Sequence, residues 1–175
     1  MKRVGLIIIF VLTKINMLAG TISVVPADNA ISAAISQARA GDVLVLENGY
    51  YDESSNILIN IQLTIRASEG AKPLLNLKGR VEVKADLHVC GISIETSNSA
   101  EAFRLQPSES IYSFYLQGCQ VKGFSSKTIR LYDTSQTIAY VDSLVIDNCI
   151  FQPSAGRCLE ATSADKQVQH LLIKN

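Results

Sequence analysis

Apolar and polar residues alternate in five short segments of the chain, which follow one another at similar intervals. In order, the segments are LTIRA from Leu63, LHVCGISI from Leu87, FYLQGCQV from Phe114, LVIDNCIF from Leu144 and LLIKN from Leu171. Alternation with a period of two is typical of a β-strand that has one face in the core. The pattern therefore predicts one such strand in each repeat.

The aligned positions of these segments also agree in chemistry. The first inward column contains large apolar residues, namely Leu63, Leu87, Phe114, Leu144 and Leu171. The second inward column is also apolar, with Ile65, Val89, Leu116, Ile146 and Ile173. Small or turn-prone residues follow, namely Ala67, Gly91, Gly118, Asn148 and Asn175. Beyond that bend the apolar or sulfur-containing residues Ile92, Cys119 and Cys149 align.

A repeat of this length cannot bury its own apolar face, but stacked repeats share a continuous core. If the strands of successive repeats pair in parallel, matching positions form columns along the axis. The sequence thus predicts an all-β chain folded as a parallel β-helix. A leucine-rich repeat has a similar period, but it requires a leucine spacing and an internal asparagine that these segments do not show.

A second set of strands is predicted at Phe103–Leu105 and Ile129–Leu131, where apolar residues point inward and an arginine points outward. We expect Leu159 to extend the column formed by the last residues of these two segments. In that register Cys158 replaces the arginine and Arg157 lies at an inward position.

An amphipathic helix is predicted between Asp28 and Ala40, because apolar residues recur there at helical spacing. Asp28 or Asn29 is expected to cap the first amides, and Gly41 to provide the positive φ that ends the helix. The helix would cover the first coil, whose strand edges are otherwise exposed. Because the sequence stops within a strand, we expect the β-helix to be incomplete at its C-terminal end.

The first 20 residues have the pattern of a secretory signal peptide. Lys2 and Arg3 precede the apolar run Val4–Leu12, and Ala19–Gly20 offers small residues for cleavage. The run is too short for a stable membrane anchor. We therefore expect a soluble, exported protein, periplasmic or extracellular, with residues 21–175 as the β-helix domain.

Composition gives few indications of a partner. The 16 basic and 16 acidic residues balance, so no net charge points to nucleic acid. The cysteines, Cys90, Cys119, Cys149 and Cys158, include no CxxC pair that would favour zinc. Cys119 and Cys149 occupy one inward column, and we expect them to remain free thiols.

Arg104 and Arg130 are the leading candidates for substrate binding. Both are predicted to face outward from adjacent coils, about one strand spacing apart, where they can bind successive carboxylates of an acidic glycan. Lys122 and Lys127 flank them and complete the candidate set. A solvated surface on which these cations happen to align is the alternative.

Other polar residues give weaker indications. His88 is predicted to face outward in the column of Tyr115 and Val145, without a partner at metal-ligand spacing. Four acidic residues could supply oxygen to calcium but form no recognised loop, namely Asp133, Asp142, Asp147 and Glu160. No metal site is assigned from these residues.

The N-terminal part of the chain resembles pectin lyase-like right-handed β-helix proteins, most closely polysaccharide lyase family six, which includes alginate lyases and chondroitinase B. The likeness is in the order of the predicted helix, Ala40–Leu46, Asn48–Tyr51 and Leu63–Ala67. It implies a right-handed β-helix and β-elimination on uronate polysaccharides. That reaction uses a base, often lysine, a cation or calcium, and an acid.

In that family the catalytic lysine and arginine and the calcium ligands come from middle coils, mostly beyond Asn175. No residue here matches the catalytic motif, so the catalytic residues stay unassigned and calcium rests on the resemblance alone. Two functions are open. The chain is the N-terminal portion of an exported lyase-like protein acting on acidic polysaccharide, or a non-catalytic carbohydrate-binding or surface-structural β-helix. A fragment without independent activity is a third reading.

Overall fold

The computed structural model describes residues 19–96, 98–131, 140–161 and 167–175. The described chain opens with β1 (Thr21–Val24), α1 (Ala30–Gln37) and β2 (Val43–Leu46). Five coils of three strands follow. They contain β3 (Tyr50–Glu53), β4 (Ile57–Ile59) and β5 (Leu63–Ala67); β6 (Leu74–Leu77), β7 (Val81–Val83) and β8 (Leu87–Cys90); β9 (Ser93–Glu95), β10 (Glu101–Leu105) and β11 (Tyr112–Gln117); β12 (Gln120–Lys122), β13 (Lys127–Leu131) and β14 (Tyr140–Asp147); and β15 (Ile150–Gln152), β16 (Arg157–Ala161) and β17 (Gln167–Lys174).

The strands form three parallel sheets along the coil axis. Sheet 1 has seven strands, β1, β2 and the third strand of every coil. Sheet 2 contains the five first strands, and sheet 3 contains the five second strands. This architecture confirms the predicted parallel β-helix. The leucine-rich-repeat alternative is wrong, since the described part of each coil consists of strands and turns without a helix.

The columns predicted for sheet 1 are confirmed by its register. Leu63 pairs with Leu87, and the pairing continues through Phe114 and Leu144 to Leu171. The first four of these side chains are buried, whereas Leu171 on the last strand is exposed. At the following bend, residues with positive φ align, namely Gly91, Gly118 and Asn148. These three successive coils therefore turn towards sheet 2 at the same point.

The register predicted for β16 is wrong by two residues. Leu159 pairs with Ile129 rather than Leu131, and Glu160 pairs with Arg130. This register keeps Leu159 partly buried against the core and places a carboxylate beside an arginine. Arg157, which we expected to point inward, pairs with Lys127 and has a side chain that is 70% exposed.

The N-terminal helix is shorter than predicted, and its first amides are bound by a different residue. Glu53 on β3 accepts hydrogen bonds at Oε1 from the Ile31 amide at 2.8 Å and the Ser32 amide at 3.3 Å, and it also binds the Ser32 hydroxyl. Asn29 stands at the N-cap but its side chain bonds Ser54 instead. The expected cap by Asp28 or Asn29 is therefore wrong.

The end of the helix also differs from the expectation. Gly41 has the predicted positive φ of 91°, but the helix has already ended at Gln37, and Ala38 is extended. Ile31 is fully buried against the first coil, as a capping helix requires. In the part of the chain that is described, no helix has the length and apolar character needed to cross a membrane. The predicted signal sequence lies almost wholly outside that part.

Candidate functional site: a charge cluster on sheet 3

A cluster of charged side chains lies on sheet 3 and spans four coils. We call it the charge cluster. Its members lie just before or within β7, β10, β13 and β16, and they are Arg80, Glu82, Glu101, Arg104, Lys127, Arg130, Arg157 and Glu160. One outward column of the sheet runs through Glu82, Arg104, Arg130 and Glu160. The residues that flank Glu82, Arg104 and Arg130 in sequence are buried in the core, so strand alternation directs these side chains outward.

Glu101 is at the centre of the cluster and is almost fully buried. Its Oε2 accepts hydrogen bonds from Arg104 Nη2 at 2.6 Å and Nε at 2.7 Å. Its Oε1 accepts one from Arg130 Nη1 at 2.9 Å, and Arg80 Nη1 lies 3.7 Å from Oε2. Burial opposes ionisation of this carboxyl, but the bonds from Arg130 and Arg104 outweigh it and hold its pKa below the usual value.

A second buried carboxylate, Glu160, binds one cation from its own coil and one from the preceding coil. Lys127 Nζ lies 3.1 Å from its Oε1, and Arg157 Nη1 lies 2.6 Å from its Oε2. Arg130 Nε is 3.9 Å from Oε1, so this arginine contacts both carboxylates. Burial again opposes ionisation of Glu160, and the bonds from Lys127 and Arg157 lower its pKa despite that burial.

The described members of the cluster combine fixed geometry with an excess of positive charge. They are five cations and three carboxylates. Arg104 and Arg130 are in register on adjacent coils, and their side chains are 15% and 25% exposed. A guanidinium presents five donors in a planar fork, a geometry that matches the two oxygens of a carboxylate. The face is chemically suited to holding an anionic chain.

The structure brings together three of the four predicted substrate-binding residues. Arg104, Arg130 and Lys127 belong to the charge cluster. Lys122 lies on β12 in sheet 2, where its ammonium binds Glu95 at 2.8 Å. The grouping of Lys122 with the other three, which followed only from sequence proximity, is not seen.

Sequence reasoning missed Glu101 as the residue that orients both arginines. Glu101 lies two residues before Phe103, so strict alternation predicts that its side chain points inward as that of Phe103 does. The pattern therefore gives no sign that Glu101 binds the outward side chain of Arg104. A usable signal was its position three residues before Arg104 and in the column of Lys127.

The remaining polar candidates lie apart from the charge cluster. His88 contacts Tyr115 on sheet 1, with ring centroids 5.8 Å apart. Asp147 binds Lys174 at 3.1 Å, and Asp142 accepts a hydrogen bond from Ser143. Asp133 is outside the described residues. Across the described ranges, no group of three or more His, Cys, Asp or Glu side chains is placed to hold a metal ion.

Cys119 and Cys149 are stacked on adjacent coils as free thiols. The Cys119 amide donates to Cys149 Sγ at 3.4 Å, which brings the two residues into direct contact. A hydrogen bond between the two side chains, together with the burial of Cys119, raises the pKa of the Cys119 thiol.

The three parallel sheets define a structural class of protein, the parallel β-helix. Within this class the chain belongs to the family described as Domain of unknown function (DUF4957), which matches residues 49–173. No curated protein matches the sequence.

Solved structures with the same fold include two of an alginate lyase of polysaccharide lyase family six (PL6), AlyGC. An arginine-to-alanine mutant of AlyGC is similar with a TM-score of 0.66 and 21% identity, and another structure of AlyGC with 0.62 and 22%. Each comparison covers 77% of this chain and 20% of the lyase chain. The chain thus spans about a fifth of the length of the lyase, and at this identity the likeness shows the fold.

Proposed function

We propose that the charge cluster on sheet 3 binds an acidic, uronate-containing polysaccharide. The observation that carries the proposal is the pair Arg104 and Arg130, in register on adjacent coils and both hydrogen-bonded to the buried Glu101. Preorganised guanidinium groups lose little freedom on binding a carboxylate. The fold's similarity to an alginate lyase supports a uronate polymer as the ligand.

The spacing of the coils also favours a polymer over a single small anion. Neighbouring strands lie about 4.8 Å apart, so cations of successive coils repeat along the axis at that interval. A polyuronate that runs along the axis therefore presents successive carboxylates to Arg104, Arg130 and the cations beside them. Binding of this kind weakens as salt screens the charges.

Substitution of Arg130 by glutamine tests the proposal. We expect Arg130→Gln to weaken binding of a uronate oligosaccharide about tenfold, the loss of one charge-assisted contact, as measured by calorimetry at low salt. Arg66→Gln is the matched control, because Arg66 lies exposed on sheet 1. Equal affinity in both variants and the wild type, with circular dichroism showing an intact fold, would refute the proposal.

A second candidate function, β-elimination by the whole protein, is favoured by the PL6-like fold. We propose that any such catalysis belongs to a longer protein, in which these coils contribute binding, and we assign no base in this chain. Elimination creates an unsaturated uronate that absorbs ultraviolet light. Incubation with alginate, chondroitin sulfate and pectate, with and without calcium, tests this. A full-length protein that binds these polymers without a rise in absorbance is a binding module.

Export is a further part of the proposal and is supported by the sequence of residues 1–20. A signal peptidase that cleaves after Gly20 would leave Thr21 at the mature N-terminus. Mass spectrometry of the protein recovered from periplasm and culture medium tests this. Protein that retains Met1 and stays in the cytoplasm would contradict export without affecting the binding proposal.

A further inference from the structure

A polar pocket next to the charge cluster lies on the turns that lead from sheet 3 to sheet 1. It is an open cavity of about 510 Å³, and we call it the turn pocket. The short turns of coils 1 and 2 form its floor with Asn60, Gln62, Lys84 and Asp86. Residues 107–111, in the longer turn of coil 3, form a wall. The cavity is within the size range of small-molecule sites.

The turn pocket is continuous with the outer face of sheet 3. The Lys84 amide donates to the Ile59 carbonyl at 2.8 Å, and the Gln106 amide donates to the Val83 carbonyl at 2.9 Å. These bonds extend the parallel pairing beyond the strand ends, so Lys84 lies two residues after Glu82 on the same outward side. Two residues of strand span about 7 Å. A ligand that passes over Arg104 therefore needs only a short step to enter the pocket.

The lining of the turn pocket differs from the charge cluster in its balance of charge. Among its described lining residues, the ammonium of Lys84 is opposed by the carboxylates of Asp86 and Glu109. Asp86 Oδ1 already accepts the Ser113 amide at 2.7 Å, and it retains acceptor capacity. An anion gains little in such a pocket, because one cation faces two negative charges.

The polar lining fits a ligand that both donates and accepts hydrogen bonds. The amides of Asn60 and Gln62 offer both functions, the hydroxyls of Ser108 and Ser110 do the same, and the carboxylates accept. Ile111, 56% exposed, supplies an apolar surface for the C–H face of a sugar ring. This mixture suits a neutral, hydroxyl-rich sugar.

We propose that the turn pocket binds a neutral sugar unit of the same polysaccharide whose uronate carboxylates lie on the charge cluster. This inference rests on the proposed function and deepens it, since it makes the ligand a polymer that contains neutral sugars as well as uronates. The pocket spans the turns of coils 1 to 3, and the arginines belong to coils 3 and 4. Adjacent units of one chain can therefore occupy both sites.

Two tetrasaccharides distinguish the two sites. One alternates glucuronate with N-acetylglucosamine, and the other is tetragalacturonate, which has a carboxylate on every unit. We expect Gln62→Ala to weaken binding of the alternating tetrasaccharide about fivefold, the effect of a lost hydrogen-bonding group, and to leave tetragalacturonate unchanged. Gln117→Ala is the control, because it removes the same side chain from the outer face of sheet 1.

The outcomes separate failure of the pocket from failure of the proposed function. If Arg130→Gln weakens both tetrasaccharides but Gln62→Ala weakens neither, the pocket inference is overturned and the charge cluster remains the binding site. If neither tetrasaccharide binds the wild type, both proposals fail. Shifts of the Asn60 and Gln62 side-chain amide signals, seen by nuclear magnetic resonance only with the alternating tetrasaccharide, would support the inference directly.

Discussion

At the scale of single residues, the two buried carboxylates Glu101 and Glu160 determine the geometry of the candidate site. An ion pair on a solvated surface contributes little to stability, but a nearly buried carboxylate requires its partners. Glu101 receives bonds from both arginines, and Glu160 receives them from Lys127 and Arg157. The arginines therefore belong to the structure that holds these carboxylates, and this role is separable by experiment from the ligand binding proposed above.

Glu101→Gln should destabilise the fold, because it leaves two guanidinium groups without their shared carboxylate. We expect the free energy of unfolding to fall by about 2 to 3 kcal/mol, measured by urea denaturation. Glu69→Gln makes the same chemical change at an exposed turn and should alter stability by less than about 0.5 kcal/mol. Equal effects of the two substitutions would show that the central carboxylate is not needed for stability.

Acid should weaken the fold through the same two carboxylates. Their pKa values in the folded protein lie below the ordinary value of 4.5, so between those values the unfolded chain binds more protons. Their contribution to stability is complete above about pH 5 and is lost as the pH falls through the folded pKa values. The urea midpoint of the wild type should therefore drop between pH 5 and 3, and less so in Glu101→Gln. A wild-type midpoint independent of pH over that range would contradict this.

At the scale of elements, sequence periodicity correctly predicted the strands and columns that repeat in the coils. It did not predict features that depend on a contact with a residue of another strand or coil. The Leu63 column repeats in every coil, so alternation alone located it in sheet 1. The register of β16 failed because Leu159 fits either of two inward columns, and the pairing of Glu160 with Arg130 decides between them. The helix cap failed because Glu53 comes from β3 rather than from the residues that precede the helix.

Glu53→Ala should therefore destabilise the N-terminal cap more than removal of the side chains next to the helix. The substitution leaves the Ile31 and Ser32 amides without their acceptor, and we expect a loss of about 2 kcal/mol in thermal or urea unfolding. Asp28→Ala, at an exposed position, should cost less than about 0.5 kcal/mol. Glu53→Gln keeps one acceptor oxygen and should fall between them. A larger effect of Asp28→Ala would restore the original prediction of the cap.

The bend between sheets 1 and 2 gives a second test at this scale. Gly118 has φ 61°, and Asn148 occupies the equivalent position of the next coil with φ 50°. Because asparagine tolerates this conformation and β-branched residues do not, Gly118→Asn should cost about 1 kcal/mol and Gly118→Val at least about 2 kcal/mol. A Cβ at Gly118 has its nearest described neighbour at 3.9 Å, so backbone strain rather than crowding causes the difference. Equal unfolding midpoints for the two variants would exclude that cause.

At the scale of the whole molecule, each coil contacts only the coils next to it, so stability is distributed as in other solenoids. Inner coils pack on both sides, and the first coil packs against β1, β2 and the helix. On the last described strand, Leu171 and Ile173 are more than half exposed. The same stacking that makes the core continuous also sets the charge cluster and the turn pocket at fixed distances along the axis. A ligand that spans both sites therefore binds a rigid surface.

Hydrogen exchange should reveal this arrangement in the 175-residue chain. We expect the slowest amide exchange in β8, β10, β11 and β13, whose strands pair on both sides, and faster exchange in β15 and β17, which pair on one side among the described residues.

Phe114→Ala removes a fully buried ring that lies 5.0 Å from Phe103. We expect this substitution to reduce the free energy of unfolding by about 3 to 5 kcal/mol and to lower the protection of amides in the central coils. Leu171→Ala, at a position 55% exposed, should leave central protection unchanged. Uniform protection along the chain, lowered equally by both substitutions, would instead mean that the solenoid unfolds as one cooperative unit.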